Sequence, residues 1–218
     1  KEVIPKLEYQ ARVIELDRSQ PEFTQSFADY FGKRVSQGRI DKGRELYAQY
    51  GDFLAELTRT FGVPGQYLVS FWGLETNFGS YLGGMPTLDS LATLACDPRR
   101  SEFFTTEFLL ALKLLERENL RAEDMKGSWA GAVGHTQFMP SSYLRFAIDG
   151  DNDGRIDLWG SHQDALASAA NFLSQLGWQR QQRCLYGHGD GGGRPCAGGS
   201  LPGRDLAARQ IGRASCRE

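Results

Sequence analysis

The chain has 218 residues, a net charge of −2 and an isoelectric point near 6.0. A chain of this length can bury a hydrophobic core as one domain or two small ones. Because there is no basic excess, we predict no nucleic-acid partner. No apolar run reaches the length of a membrane-spanning helix. The first residue is Lys1, so we interpret the chain as a mature form or a fragment, with any signal or lipid-attachment segment upstream.

The apolar spacing is helical along most of the chain, and alternating strand patterns are nearly absent. The first predicted helix opens at Pro21 and carries Phe23, Phe27, Tyr30 and Phe31 on one face. The later predicted helices cover residues 43–61, a segment from Pro64 that includes Glu75, residues 87–95, a segment that begins at Pro98, and residues 142–147 and 164–176.

The four cysteines are unevenly distributed. Cys96 lies alone in the body of the chain, while Cys184, Cys196 and Cys216 fall in its last stretch. This is neither a metal-ligand spacing nor a disulfide framework spread across a fold. We predict Cys96 to be a small buried hydrophobe.

A single carboxylate, Glu75, ends the largely apolar run from Tyr67 to Leu74. The side chain of a glutamate at such a position points either into solvent or into an apolar cleft. In an apolar cleft, desolvation raises the pKa of a carboxyl group and keeps its proton available near neutral pH. A general acid needs that property, so Glu75 is a candidate catalytic residue.

The first of two notable loops covers residues 126–140 and is rich in glycine. Its glycines permit tight turns and the close approach of a ligand. Ser128 and Gln137 offer uncharged hydrogen-bonding groups and Trp129 offers a flat apolar face, a combination that suits a sugar ring. The alternative is a small hairpin that closes the core. His135 has no metal-type partner in sequence, and we assign it no catalytic role.

The second loop, residues 149–157, resembles the first part of an EF-hand calcium loop. Carboxylates at alternate positions can converge on one cation, and Gly154 permits the sharp turn. Gly160 stands at the twelfth position, where the usual loop has a bidentate Glu, so the loop must extend to the next carboxylate. The predicted calcium ligands are Asp149, Asp151, Asp153, the backbone carbonyl of Arg155, and Asp164.

Several long motifs, in this order, resemble the lytic murein transglycosylase B family. They are residues 73–79, 97–100, 130–142, the acidic loop and residues 168–172, and the similarity runs from about residue 13 to 178. The resemblance implies a mainly α, lysozyme-like (α+β) fold with very little strand. It also implies an enzyme that cleaves the MurNAc–GlcNAc β-1,4 bond of peptidoglycan without water and leaves 1,6-anhydro-MurNAc ends. The implied location is the periplasm, with outer-membrane attachment through an upstream segment in many members.

The resemblance also implies roles for single residues. Glu75 falls on the family's sole catalytic acid/base. Ser128 and Gln137 would line the sugar subsites, and Asn171 would lie near Glu75. Phe172 stands where the family commonly has Tyr, so one hydroxyl group toward the substrate is missing. Arg99 and Arg100 would meet the carboxylates of the peptide stem.

We predict three regions: an N-terminal helical region (1–62), a lysozyme-like catalytic core (63–178) that contains the calcium loop (149–164), and a low-complexity tail (179–218). The tail departs from the family, which continues there with a segment that completes the cleft. Two functions therefore remain open: a monomeric lytic transglycosylase with a structural Ca²⁺ and no organic cofactor, or a non-catalytic, calcium-stabilised peptidoglycan-binding module.

Overall fold

The computed structural model describes residues 4–19 and 26–179. In these ranges the chain is mainly helical with one small antiparallel sheet, which confirms the predicted fold class. In chain order the elements are α1 (Ala11–Arg18), α2 (Phe27–Arg34), α3 (Gln37–Gln49), α4 (Gly51–Phe61), α5 (Gly65–Thr76), β1 (Met85–Pro86), α6 (Thr87–Cys96), α7 (Ser101–Arg117), β2 (Lys126–Gly127), α8 (Pro140–Phe146) and α9 (His162–Gln175).

Local sequence signals set several helix ends. Gly62, with φ +77°, ends α4 in the left-handed conformation that favours glycine, and Pro64 immediately precedes α5. The hydroxyl of Ser36 accepts a hydrogen bond from the backbone of α3 and that of Ser161 from the backbone of α9. Asn77, with φ +48°, ends α5 two residues after Glu75. The end of α5 is therefore fixed by the chain itself.

Two hydrophobic clusters form the core. One contains buried side chains of α1, α6, α7 and α8 together with Phe172 of α9, and the other contains those of α3, α4, α5 and the rest of α9. Phe71 and Leu173 pack against both clusters and so join them. Strand β1 pairs with β2 through Met85 opposite Gly127, and isolated bridges continue the pairing from Gly127 to Val133 and Phe138. The glycine-rich loop is thereby attached to this small sheet.

The helix predicted over residues 43–61 is two helices, because the backbone departs from helical geometry at Tyr50 (φ −98°, ψ 17°). Leu46, Tyr50 and Leu54 keep one helical spacing through the break, so the pattern does not reveal it. Helix α7 begins at Ser101 instead of Pro98, since residues 98–100 form a turn. Helix α1 has no counterpart among the predicted helices.

The prediction that Cys96 is buried is wrong. Cys96 is the last residue of α6 and its side chain is exposed, because the buried face of this helix consists of Leu88, Leu91 and Leu94. The predicted helix start at Pro21, the cysteines at 184, 196 and 216, and the low-complexity tail from residue 180 lie outside the described residues. In the described part of the chain no helix is both long and apolar enough to cross a bilayer.

Candidate active site and metal loop

Glu75 lies in the last turn of α5, and its side chain is half-buried. One of its carboxylate oxygens, Oε2, is shielded from solvent. Phe71, one turn earlier on the same face of the helix, packs against both hydrophobic clusters. Glu75 therefore lies one helical turn beyond the residue that packs against both clusters.

The neighbours of Glu75 attach the end of α5 to the glycine-rich loop. The Trp72 indole Nε1 donates a hydrogen bond to Nδ1 of His135 at 3.1 Å, and the Thr76 hydroxyl donates to the His135 carbonyl at 2.9 Å. The Gly79 backbone N–H donates to the Thr76 hydroxyl at 3.0 Å. Gly79 has a φ of +81°, and a Cβ at this position would collide with the His135 ring. This buried network fixes the backbone on both sides of Glu75.

His135 is 4% exposed and packs beside His162, with ring centroids 4.7 Å apart. Burial, and to a lesser extent the neighbouring His162, lowers the pKa of His135 from 6.5 to about 4. Burial also lowers the pKa of His162, whose Nδ1 lies 2.7 Å from the Tyr50 hydroxyl. Both rings are therefore neutral at pH 7 and serve the packing of α4, α5 and α9.

The glycine-rich loop is folded tightly on itself. The hydroxyl of Ser128 accepts a hydrogen bond from the Ala132 backbone N–H at 3.0 Å, and Ser128 is 4% exposed. Gln137, which is 5% exposed with φ +49°, donates from Nε2 to the carbonyls of Leu82 (3.1 Å) and Gly134 (2.8 Å). These contacts match the hairpin alternative, and sugar binding by Ser128 and Gln137 stays a prediction.

Asn171 lies on α9, where its amide Nδ2 donates to the carbonyl of Phe146 at 2.8 Å and its Oδ1 accepts from Gln175 at 2.9 Å. It thus binds the last turn of α8 to α9. Phe172, 4% exposed, packs against Phe138 and Phe146 with centroids 5.3 and 5.1 Å apart. Phe172 therefore packs inside the first hydrophobic cluster. The placement of Asn171 beside Glu75 stays a prediction.

The two arginines predicted to meet the peptide stem are engaged within the chain. Arg99 and Arg100 both form ion pairs with the Asp17 carboxylate, and Asp17 is only 3% exposed. Arg99 also donates to the Asp17 backbone carbonyl at 3.2 Å, while the Arg100 guanidinium lies 4.9 Å from the Phe104 ring centre. Because the Asp17 carboxylate is buried, loss of both arginines would leave it without a compensating charge, which is costly. The arrangement binds α1 to the turn before α7, and stem binding by these arginines stays a prediction.

Three predicted calcium ligands come together. Oxygen atoms of Asp149, Asp151 and Asp153 lie within 4.8 Å of one another. Gly154, with φ +88°, turns the backbone so that its N–H donates to Asp149 at 2.8 Å. Arg155 follows in the same turn. Three carboxylates at this separation fit a hard divalent cation.

Asp164 lies outside this group of three and is 1% exposed. Its two carboxylate oxygens accept hydrogen bonds from the backbone N–H groups of Gly150 and Asp157, both at 2.7 Å. Burial raises the pKa of Asp164. Asp164 therefore holds both arms of the loop together, and its role as a direct ligand stays a prediction.

A buried carboxylate that the sequence analysis does not single out is Glu107, which is 3% exposed on α7. Its two oxygens accept hydrogen bonds from the backbone N–H (2.9 Å) and the hydroxyl (2.6 Å) of Ser141, in the first turn of α8. Burial raises the pKa of Glu107. The helical spacing of the sequence could have indicated that Glu107 is buried, because Glu107 shares the buried face of α7 with Phe104 and Ala111.

The described part of the chain combines a mainly helical core, a half-buried glutamate at a helix end, a glycine-rich loop and an acidic loop. Residues 1–188 match the family model described as the Transglycosylase SLT domain. The chain belongs to this family, which confirms the resemblance seen in the sequence.

Individual relatives agree with this assignment. The chain is 37% identical over 168 residues to the membrane-bound lytic murein transglycosylase B of Escherichia coli strain K12. This match covers 76% of this chain and 46% of the relative. SltB3 from Pseudomonas aeruginosa, solved in complex with NAG-NAM-pentapeptide, is 42% identical to this chain with a TM-score of 0.76. The match covers 81% of this chain and 47% of the SltB3 chain.

The Escherichia coli lytic transglycosylase Slt35, solved in complex with calcium, is 34% identical to this chain with a TM-score of 0.77. The match covers 84% of this chain and 58% of the Slt35 chain. The chain therefore spans about half the length of the relatives it matches.

Proposed function

We propose that this chain is a lytic transglycosylase that cleaves the MurNAc–GlcNAc β-1,4 bond of peptidoglycan and leaves 1,6-anhydro-MurNAc ends. The main support is the position of Glu75 within a motif of its family: a half-buried carboxyl group on the last turn of α5. The relatives' names and the NAG-NAM-pentapeptide bound to SltB3 support peptidoglycan as the substrate class.

One carboxyl group is enough for this reaction. In the first step Glu75 protonates the glycosidic oxygen of the leaving GlcNAc, while the N-acetyl carbonyl of MurNAc stabilises the positive charge at C1. The same carboxylate then removes the proton of the MurNAc C6 hydroxyl, whose oxygen bonds to C1. Water is outcompeted because the attacking hydroxyl belongs to the same sugar. A second catalytic carboxylate, which most glycosidases require, is unnecessary.

We further propose that Asp149, Asp151, Asp153, the carbonyl of Arg155 and Asp164 hold one Ca²⁺ ion. The bound ion would neutralise the repulsion among the carboxylates and so stabilise the connection between α8 and α9. Its role is structural. The calcium complex of Slt35 supports the choice of ion. We also propose that the protein acts as a monomer in the periplasm, where its glycan partner lies.

Mass spectrometry of peptidoglycan digests tests the reaction. We expect muropeptides that end in 1,6-anhydro-MurNAc, each lighter by one water than the corresponding hydrolysed product. Reducing MurNAc ends would instead show a lysozyme-type hydrolase. Binding of peptidoglycan without any released fragment would favour a non-catalytic binding module.

A further inference from the structure

Two consecutive hydrogen bonds between buried residues connect the acidic loop to the end of α5. The backbone N–H of His135 donates to the carbonyl of Leu158 at 2.8 Å. The hydroxyl of Thr76 donates to the carbonyl of the same histidine at 2.9 Å. Leu158 directly follows the acidic loop (149–157), and Thr76 directly follows Glu75. A first path of only three residues therefore leads from the acidic loop to the proposed catalytic residue.

The first path is tightly packed. Gly134 lies so close to Leu158 that a Cβ on this glycine would be 2.5 Å from the Leu158 carbonyl oxygen. The Trp159 indole Nε1 donates to the carbonyl of Lys126 at 2.9 Å and so attaches the segment after the acidic loop to β2. Closely packed interiors transmit a displacement instead of absorbing it. A shift of Leu158 would therefore be passed on to His135.

A second path runs through the start of α9. The Ser161 hydroxyl donates to Asp151 Oδ2 at 2.7 Å, and Ser161 is also the residue that caps α9. His162, the first residue of the helix, packs its ring against Trp72 with ring centroids 4.9 Å apart. Trp72 lies on α5, three residues before Glu75. Helix α9 thus begins with one residue bonded to the acidic loop and one packed against the helix that carries Glu75.

The charges of the acidic loop act on the start of both paths. Its three converging carboxylates lie within 4.8 Å of one another, so they repel one another unless a cation neutralises them. Asp151 is one of the three and also accepts the Ser161 hydrogen bond. The backbone N–H of Ser161 donates to the Asp157 carbonyl at 2.9 Å, and Leu158 is the next residue. A rearrangement of the carboxylates would therefore move both paths together.

We propose that the acidic loop positions Glu75. A divalent cation in the loop fixes Leu158 and Ser161. Through His135 and Trp72, these fixed residues hold the last turns of α5 and with them the carboxyl group of Glu75. The inference deepens the proposed function and rests on it, because it concerns the same ion and the same carboxyl group. It gives the ion a local effect at the active site in addition to its effect on the stability of the whole chain.

Hydrogen exchange followed by NMR tests the proposal without any need for turnover. The Asn77 amide reports on the end of α5, because Asn77 caps this helix and donates to the Gly73 carbonyl at 3.2 Å. At a temperature where the chain is folded in EDTA, removal of Ca²⁺ should accelerate exchange at Asn77 about tenfold or more. Gly62 caps α4 in the same way and is the matched control, whose exchange should change by less than about twofold.

Thr76→Val tests the first path, because valine keeps the shape of the side chain and removes its hydroxyl group. The response of Asn77 to Ca²⁺ should fall to about threefold, since the second path remains. The response of the His135 amide, which lies before the break, should be retained. Thr76→Ser restores the hydroxyl group and should restore the full response of Asn77.

Kinetics on soluble peptidoglycan oligomers provide a second readout under the same conditions. Removal of Ca²⁺ should lower kcat about tenfold and change KM by less than about twofold. The reason is that a displaced Glu75 loses contact with the reacting oxygen and leaves the binding of the substrate unaffected. An equal kcat with and without the ion would overturn the proposal for an active chain.

The remaining outcomes separate the proposals from one another. Equal exchange at Asn77 with and without Ca²⁺, in a chain whose melting temperature rises with the ion, overturns this inference and retains the metal site. Equal acceleration at Asn77 and Gly62 also overturns it, because the effect would then be global. A chain without any response to Ca²⁺ refutes the metal site and this inference together. The expected exchange in a chain that releases no anhydro ends refutes the proposed reaction and retains the positioning of Glu75 by the loop.

Discussion

At the scale of single residues, the proposed reaction depends on how the chain holds Glu75. Trp72 and Thr76 flank it in α5, and both donate hydrogen bonds to His135. Since Glu75 is the last residue but one of the helix, any movement of the loop at His135 would displace its carboxyl group. A displacement of about 1 Å can cost an enzyme about a hundredfold in rate. In the proposed reaction, the buried histidine would therefore act by positioning Glu75, with its ring neutral at pH 7.

The first prediction concerns Glu75→Gln. The amide has nearly the shape of the carboxyl group but can neither give nor take the proton, so turnover should fall by at least about a hundredfold. The melting temperature and the affinity for glycan should be retained. Glu116→Gln, an exposed glutamate of α7, is the control and should keep full turnover. Near-normal release of anhydro-muropeptides by the Glu75 variant would exclude this residue as the acid/base.

The second prediction concerns pH and His135. The unfolded chain binds a proton at His135 near pH 6.5, whereas the folded chain binds it only near pH 4. The unfolded state therefore holds more protons between these values, and the free energy of unfolding should decrease as the pH falls from 6.5 to 4. The loss should be on the order of 3 kcal/mol.

His135→Asn removes this titration, so urea unfolding at pH 7 and pH 4.5 should show a smaller pH dependence than the parent chain. The variant weakens the hydrogen bond from Trp72 at both pH values. The comparison therefore uses the difference in the free energy of unfolding between pH 7 and pH 4.5. An identical pH dependence in both proteins would show that His135 does not titrate with a lowered pKa.

At the scale of elements, Glu107 joins α7 to α8. Its carboxylate accepts two hydrogen bonds from Ser141 and so caps the start of α8, directly after the glycine-rich loop. A negative charge at a helix N-terminus is also favoured by the helix dipole. The end of the loop that carries Gln137 is thereby fixed by a residue 30 positions earlier in the chain.

The third prediction is that Glu107→Ala lowers the free energy of unfolding by about 1–3 kcal/mol, because the half-buried Ser141 groups lose their acceptor. Glu107→Gln keeps one acceptor oxygen and should lose less. Glu116→Ala on the exposed face of the same helix should change stability by less than about 0.5 kcal/mol. Equal stability of the Glu107→Ala variant and the parent in urea unfolding would show that the cap contributes nothing.

The helices could be predicted where composition marks their ends and their buried face. Residues 87–95 were assigned almost as observed, and Pro64 marked the start of α5. The break at Tyr50 could not be seen, because the apolar spacing is continuous across it. The partner of Arg99 could not be seen either, since Asp17 lies 82 residues away and only tertiary packing brings them together.

At the scale of the whole molecule, one helix joins the two hydrophobic clusters. Helix α9 contributes buried side chains to both, and the acidic loop is the connection between α8 and α9. The motif predicts a metal site in this loop, and the structure brings Asp149, Asp151 and Asp153 together. The hydrogen bonds by which Asp164 bridges Gly150 and Asp157 could not be predicted from the sequence, because they depend on the folded backbone.

The last prediction follows from that connection. A Ca²⁺ ion that binds the folded loop and not the unfolded chain stabilises the whole molecule by mass action, by about 2.7 kcal/mol at a hundredfold excess over its Kd. Thermal unfolding should therefore show a higher melting temperature with excess Ca²⁺ than with EDTA. Mg²⁺ should have a smaller effect, because it demands a tighter octahedral cage.

Asp153→Asn should abolish the response to Ca²⁺, since it removes one of the three converging carboxylates. Asp52→Asn, which changes an exposed aspartate of α4 by the same one charge, is the control and should respond like the parent chain. An equal melting temperature of the parent in EDTA and in Ca²⁺ would show that the loop is an acidic turn. In that case the hydrogen bonds of Asp149 to the Asp153 and Gly154 backbone would be sufficient to maintain the connection between α8 and α9.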